Sequence, residues 1–504
     1  MPENNDKNKK FYITTPIYYV NDKPHIGHTY TTLVADVYAR FYRELLGKEN
    51  VFFLTGTDEH GKKVADSAAK NNLSPQEFAD KISQEYKDAW KQLDISYDEF
   101  FRTTDPRHKK IVQDFLQNLY DKGFIYKANY KGTYCVGCEK FLSFEEIVNG
   151  KCIYHPNLEL VEQEEENYFF KLKEFTPQIL AALEAGQYEV FPEERKNEIL
   201  GKIKNGIEDI SISRTGVTWG VSVPWDTKHT VYVWVDALIN YYSATEMYDR
   251  KDFWPASLHL MAKDILWFHA LIWEGLLLAS GLPLPKAIFA HGFFTIDGQK
   301  MSKSLGNVIN PLDLVKEYGV DATRYLLLTS FQFGKDGDIS LARFKEKYNS
   351  DLANGIGNLV SRVAKLAEKL TQNPINPSTP FDSTLEAGPS TQLARITKTN
   401  DIDSLGVRRS EYLDIQEFFE AHKPDEALRF VWSKINALDQ KLAVEKPWEI
   451  KDEAQLSSAL KPHIEELINI GFALRPFMPD TSAKILDIFT KDKIVKGEGL
   501  FGRK

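Results

Sequence analysis

The chain has 504 residues, 42% hydrophobic and 27% charged, a balance that excludes disorder and suggests about three domains. No apolar run approaches the roughly 18 residues of a membrane helix, MPENNDKNKK is neither signal nor transit peptide, and three cysteines are too few for a disulfide framework, so no membrane is expected and the cytoplasm is the expected compartment. A net charge of −9 argues against a nonspecific nucleic-acid coat, though not against a local basic face.

Residues 1–10 read as a polar tail, and Phe11 to Tyr19 as a buried strand of β-branched and aromatic residues ending in a polar turn. A helix is predicted from Ile26 to about Leu46, with Leu33, Val34, Val37, Phe41 and Leu45 at helical spacing and Gly47 as its stop. A second strand, Val51 to Leu54, completes a βαβ unit, which implies a parallel sheet with its ligand site at the strand carboxyl ends. Residues 11–125 are therefore expected to form the first half of an α/β domain. The interval from about Tyr126 to His229 breaks that rhythm and holds every cysteine, so 126–230 reads as an insertion. Strand-like VYVWVD (Val231 to Asp236) and a helix-like run from Asp264 to Leu278 restore the α/β pattern over 231–290. Residues 291–345 link this half to a helical region, 346–504. There Ala427, Leu428, Val431, Trp432, Ile435, Leu438 and Leu442 form one apolar face, and Ile464, Leu467, Ile468 and Phe472 another. The Pro/Ser/Thr-rich stretch from Asn373 to Pro389 reads as a loop, and no internal repeat is found.

Two short motifs carry the first chemistry. Pro24-His25-Ile26-Gly27-His28 lies where the first strand meets its helix. A helix start offers free N–H groups to phosphate, Gly27 lets a flat ligand approach, and His25 and His28 can donate to phosphate oxygens. A metal pair or two surface histidines would look the same. Lys300-Met301-Ser302-Lys303-Ser304 brackets a small-residue loop with two lysines, suited to a triphosphate, although a solvated surface turn reads likewise. The order and spacing of the two motifs resemble the paired signature of class I aminoacyl-tRNA synthetases.

Within that class the chain resembles the methionyl-tRNA synthetase family. The residues carrying this are TTPIYYVNDKPHIGHTYTTLVADVYARF, LTGTDEHGKK, VWVDALINYY, KDILWFHALIW, HGFFTIDGQKMSKSLGN and LRPFMPDTSAKI. The interval from His28 to Lys300 is too short for the editing insertion of the related Val, Ile and Leu enzymes. The resemblance implies a Rossmann-type catalytic domain split by a zinc-knuckle insertion and followed by an α-helical anticodon-binding bundle. It implies ATP (with Mg²⁺), L-methionine and tRNA(Met) as substrates, joined by way of methionyl-adenylate. His25, His28, Lys300 and Lys303 would serve catalysis, with Gly27, Met301, Ser302 and Ser304 also at ATP. The amino-acid pocket would comprise Ile17, Tyr19, Asp58, Trp234, Ala237, Tyr241, Ile265 and His269. Trp234 and Ile265 would otherwise be read as core.

Cys135-Val136-Gly137-Cys138 and Cys152-Ile153-Tyr154-His155 form two ligand pairs at the spacing of a tetrahedral zinc site, against the alternative of free thiols beside a surface histidine. The resemblance makes one structural Zn²⁺ per chain the expectation. Asn358 and Arg362 share one helix face, and Trp448 follows Lys446-Pro447 at a turn. The resemblance assigns these three to the CAU anticodon, where Asn and Arg read base edges and Trp stacks. An ordinary surface pair and a half-buried Trp would look alike. LARITKTNDIDSLGVRR stands where the family leads one to expect helix, and with no appended C-terminal tRNA-binding module before Lys504 a monomer is expected. Rival readings are a small-molecule adenylyltransferase of the same superfamily and a non-catalytic tRNA-binding protein. The helical tail opposes the first, and the two intact motifs oppose the second.

Overall fold

The structure, a computed structural model, describes residues 9–21, 23–138, 140–142, 146–301, 307–370, 408–491 and 493–504. Expectations for Ser302, Lys303, Ser304 and the stretch 373–389 lie outside these residues. Strands β1 (Phe11–Tyr19), β2 (Val51–Asp58) and β3 (Glu99–Arg102) are followed by a long pair, β4 (Ile125–Cys135) and β5 (Val161–Phe170), then by β6 (Glu189–Phe191), β7 (Leu258–Ala262) and β8 (Ala287–His291). Six of them form one parallel sheet in the order β3-β2-β1-β7-β8-β6. Order reverses between β1 and β7, so a crevice opens at the carboxyl ends of these two strands. Every residue of β2 is buried, as a strand covered on both faces requires.

Helix α1 (Ile26–Leu46) runs from β1 to β2 as expected, and Gly47 ends it with φ 92°. The next helices are α2 (Lys62–Lys70), α3 (Pro75–Gln92) and α4 (Pro106–Asp121). In α3, Ser74 and Glu77 close a reciprocal cap and Pro75 occupies the first turn. The antiparallel β4–β5 ladder runs from Ile125↔Phe170 to Tyr134↔Val161 and carries the cysteine cluster at its far end. Within the same interval β6 returns to the edge of the parallel sheet.

One expected strand is a helix. Only Thr230–Val231 is extended, and VWVD begins helix α5 (Val233–Met247). Val235, Leu238 and Ile239 continue a buried helical face into LINYYS, and the place in the sheet is filled by β7, whose LHLMA gives little alternation to read. The expected helix from Asp264 to Leu278 is present in three turns of different pitch: 3₁₀ at Lys263–Ile265, π at Phe268–Trp273, and α at Glu274–Ser280. A small sheet of β9 (Phe294–Ile296), β10 (Gln299–Lys300) and β11 (Gly337–Ile339) follows, then α6 (Val320–Leu328).

The described residues beyond Glu346 are mainly helical: α7 (Gly357–Ala367), α8 (Arg408–Glu420), α9 (Pro424–Glu445), α10 (Glu453–Leu474) and α11 (Pro479–Phe489). Both expected apolar faces are buried, except that Trp432 is only partly covered and stacks on Tyr325 at 4.1 Å. The helical region packs on α1 through Phe41 and Phe419, whose rings stack at 3.9 Å. Among the described residues no helix is long and apolar enough to cross a membrane.

Candidate active site

At the amino end of α1, His25 is the cap residue and its Nδ1 accepts the Gly27 N–H at 3.1 Å. His28 Nδ1 lies 3.4 Å from the His25 backbone N–H and 3.1 Å from the Tyr86 hydroxyl. A backbone N–H can only donate, so Nδ1 is the acceptor on both rings and the ring proton sits on Nε2. Burial, with His25 as a second cause, pushes His28 well below the usual histidine range, so it is a neutral donor. The two rings stack at 3.8 Å. A Cβ on Gly27 would come within 2.8 Å of the His25 ring and 3.7 Å of Met301 Cε. The head of the lysine loop therefore meets the histidine turn, and the Ile26 N–H donates to the Ile309 carbonyl at 3.2 Å just beyond that loop. Lys300 pairs through its backbone register with Thr295 in the β9–β10 hairpin.

The residues expected to form the amino-acid pocket gather at the same sheet end. Ile17 and Tyr19 close β1, Asp58 closes β2 opposite Tyr19, and Ile265 and His269 follow β7. Helix α5 supplies Trp234, Ala237 and Tyr241. Ile17, Ala237 and Tyr241 are buried in one cluster, against which Tyr19, Trp234 and Ile265 pack. Trp234 stacks on Phe268 at 3.9 Å. His269 sits in the π turn, a distortion that often marks working sites. Its Nδ1 donates to the Ile265 carbonyl at 3.0 Å, leaving Nε2 to accept the Tyr241 hydroxyl at 2.8 Å. Burial pulls His269 down to about 4, so its ring is neutral near pH 7. Both His269 nitrogens are thus engaged, one by the Ile265 carbonyl and the other by the Tyr241 hydroxyl.

The four thiol and imidazole ligand atoms of Cys135, Cys138, Cys152 and His155 lie within 4.8 Å of one another. Cys138 Sγ is 3.5 Å from Cys152 Sγ and 3.2 Å from His155 Nδ1. A tetrahedron of about 2.3 Å metal–sulfur bonds has edges of about 3.8 Å, so the donor set fits zinc in type and spacing. Burial, then the neighbouring Cys152 and Cys135 thiols, pushes the Cys138 thiol up, a cost that a bound dication would offset. Gly137 is required here, because a Cβ would lie 2.4 Å from the His155 ring. The Lys63 ammonium donates to the Gly137 carbonyl and ties the cluster to α2.

In the helical region Leu359, Val360 and Val363 bury one face of α7 and leave Asn358 exposed on the other. Arg362 is one turn on, its guanidinium 5.3 Å from the Trp448 ring and bonded to Asp439 at 2.9 Å. Trp448 is 44% exposed, so it is not a core residue.

The sequence matches the family described as tRNA synthetases class I (M) over residues 11–159 and 145–364. A methionine-tRNA ligase of Caldanaerobacter subterraneus subsp. tengcongensis is 43% identical over 95% of this chain and 74% of its own. That of Thermotoga maritima is 42% identical over 94% and 74%. The solved structure of Mycobacterium tuberculosis methionyl-tRNA synthetase in complex with methionyl-adenylate superposes with a TM-score of 0.84 at 34% identity, covering 95% of this chain and 94% of that one. The chain belongs to the methionyl family of class I tRNA synthetases.

Several side chains around this synthetase site escape a sequence reading. Glu59 is fully buried and accepts from Thr57, Ser83 and the Nε and Nη2 of Arg102, so it braces the end of β2 against α3 and β3. His60 and His108 both bond Asp236, at 2.7 and 3.0 Å, locking α5 to the β2 end and to α4. The ionisable run Asp58-Glu59-His60 behind an apolar strand is the one local signal for the first two. Nothing local marks His108.

Proposed function

We propose that this chain is a methionine-tRNA ligase, converting ATP, L-methionine and tRNA(Met) to methionyl-tRNA, AMP and pyrophosphate. The observation that carries this is Met301 meeting the Gly27 turn at the same sheet end as the aromatic pocket. Asp58 would hold the substrate ammonium by a charge-assisted hydrogen bond, and the thioether would pack on Tyr19 and Trp234. The methionine carboxylate attacks the α-phosphate in line and pyrophosphate leaves. Charge developing on the phosphates is met by the Nε2–H groups of His25 and His28, by the α1 N-terminus, and by Lys300 and Lys303. One such donor is worth about 3–4 kcal/mol. ATP, Met301, Ser302 and Ser304 would lie together over Gly27. The 2′-hydroxyl of the terminal adenosine of tRNA then attacks the acyl adenylate and releases AMP.

Cys135, Cys138, Cys152 and His155 would hold one Zn²⁺, whose four protein ligands leave no open position, so its part is structural. Mg²⁺ enters with ATP as the counterion of the substrate. Asn358, Arg362 and Trp448 would read the anticodon, and protein synthesis in the cytoplasm is the setting we infer. Exchange of labelled pyrophosphate into ATP, run with a panel of amino acids and with and without tRNA, tests the proposed reaction. Methionine-dependent exchange that needs no tRNA, joined by charging of tRNA(Met), is the expected result. Exchange without charging would leave a small-molecule adenylyltransferase, and charging with another amino acid would overturn the pocket assignment.

A further inference from the structure

Arg324 is among the largest side chains that are fully buried, at 0% exposure, and so is the carboxylate it faces, Asp36. Asp36 lies on α1, on the helix whose first turn carries His25, Gly27 and His28. Its Oδ2 receives Arg40 Nε at 2.7 Å and pairs with Arg324 Nη2 at 2.7 Å. Its Oδ1 accepts the backbone N–H and the hydroxyl of Ser96, at 2.7 and 2.6 Å. Burial alone would raise this carboxyl, but the Arg40 and Arg324 guanidiniums and the Ser96 bonds outweigh it and hold Asp36 well below the usual range.

Arg324 also donates elsewhere, through Nε, Nη1 and the second N–H of Nη2. Nε donates to the Phe477 carbonyl at 2.8 Å and Nη2 to that of Pro476 at 3.1 Å, both at the corner between α10 and α11. Nη1 donates to the Leu93 carbonyl at 3.3 Å, at the end of α3. Helix α6, which bears Arg324, follows the lysine loop in the chain. One planar fork therefore joins the histidine helix, the segment after the lysine loop and the corner of the helical region. A buried guanidinium with donors spread over a planar fork can satisfy acceptors on three sides at once, whereas a lysine carries its three donors on one nitrogen and cannot span acceptors so far apart.

We propose that Arg324 is a positioning residue for adenylate formation: it sets α1 against the α10–α11 corner, so that the histidine turn meets the α-phosphate. This rests on the functional reading above. The proposed amino-acid pocket is built on β1, β2, α5 and the π turn, and among the described residues the hydrogen bonds of Arg324 go to none of these, so the effect should fall on turnover and spare methionine binding.

The test compares wild type with Arg324→Lys and with the milder Ser96→Ala, which keeps the backbone bond to Asp36. Adenylate formation per titrated active site is measured by pyrophosphate exchange, so that misfolded molecules drop out of the rate. A misplacement of tenths of an ångström should lower turnover per site about tenfold in Arg324→Lys and about threefold in Ser96→Ala, with the methionine KM within about twofold of wild type. Should Arg324→Lys fail to fold, the Ser96→Ala result decides. Unaltered turnover per site in the folded variants, or a raised methionine KM with normal turnover, would overturn the role of Arg324. Absence of methionine-dependent exchange in the wild type would overturn the functional reading itself, and this proposal with it.

Discussion

At the scale of single residues, Gly27 leaves no room for a side chain without moving His25. A Cβ there would sit 2.8 Å from the His25 ring, a movable side chain, so Gly27→Ala should fold and unfold like wild type. His25 would have to swing away from its cap position, and displacement of about 1 Å at a reacting centre costs on the order of a hundredfold. Pyrophosphate exchange should fall by about that factor while equilibrium dialysis finds methionine binding unchanged. Equal loss of both would mean that the turn serves the amino acid. Buried histidines set an acid limit on stability. His269 and His291 are each pulled to about 4 by burial, against the opposing effect of the carbonyls they donate to. Below about pH 6.5 the unfolded chain takes up protons that the folded chain refuses, so stability falls with falling pH down to about pH 4, by up to about 3 kcal/mol per ring. Urea midpoints should drop across that window, and His291→Gln should flatten the slope. A midpoint level from pH 7 to pH 4.5 would show that these rings titrate normally.

At the scale of elements, the candidate metal ligands hang on the far end of the β4–β5 ladder, whose register is unbroken from Ile125 to Tyr134. That ladder should hold its pairing whether or not an ion is bound at the tip. Fresh protein should contain about one equivalent of zinc, and Cys135→Ser should lower it severalfold. Hydrogen exchange should then quicken near 135–155 and stay slow in the parallel sheet. Zinc content near zero in fresh protein, or loosening spread through β1 and β2, would contradict this. Most of these elements were legible from local pattern: α1 through its apolar period and Gly47, β1 through its aromatic and β-branched run, the cluster through four ligands in one short segment. VWVD misled because β-branched and aromatic residues fit a strand locally, while the helical face that wins lies in the residues after it. β7 escaped notice because a central parallel strand buried on both faces shows no alternation.

At the scale of the whole molecule, the proposed tRNA reading and the proposed adenylation would fall on different parts of one chain. Arg362 and Trp448 meet on the helical region, away from the pocket residues in sequence and in packing. Stacking of an unpaired base on Trp448 is worth about 1–3 kcal/mol, so Trp448→Ala should cut charging of tRNA(Met) about ten- to a hundredfold and leave exchange without tRNA within about twofold. Equal loss of both activities would make Trp448 a packing residue. What the sequence determined by itself was whatever rests on near neighbours: helix and strand period, a glycine among histidines at a helix start, cysteines at ligand spacing, and motifs that carry a family likeness. What only the tertiary structure decided was how buried charge is satisfied. Asp36 finds Arg324, and Asp236 finds His60 and His108, across long stretches of chain. A carboxylate taken out of water must be met by some donor, but which one depends on the stacking of layers that bring distant segments together, and no local pattern encodes that choice.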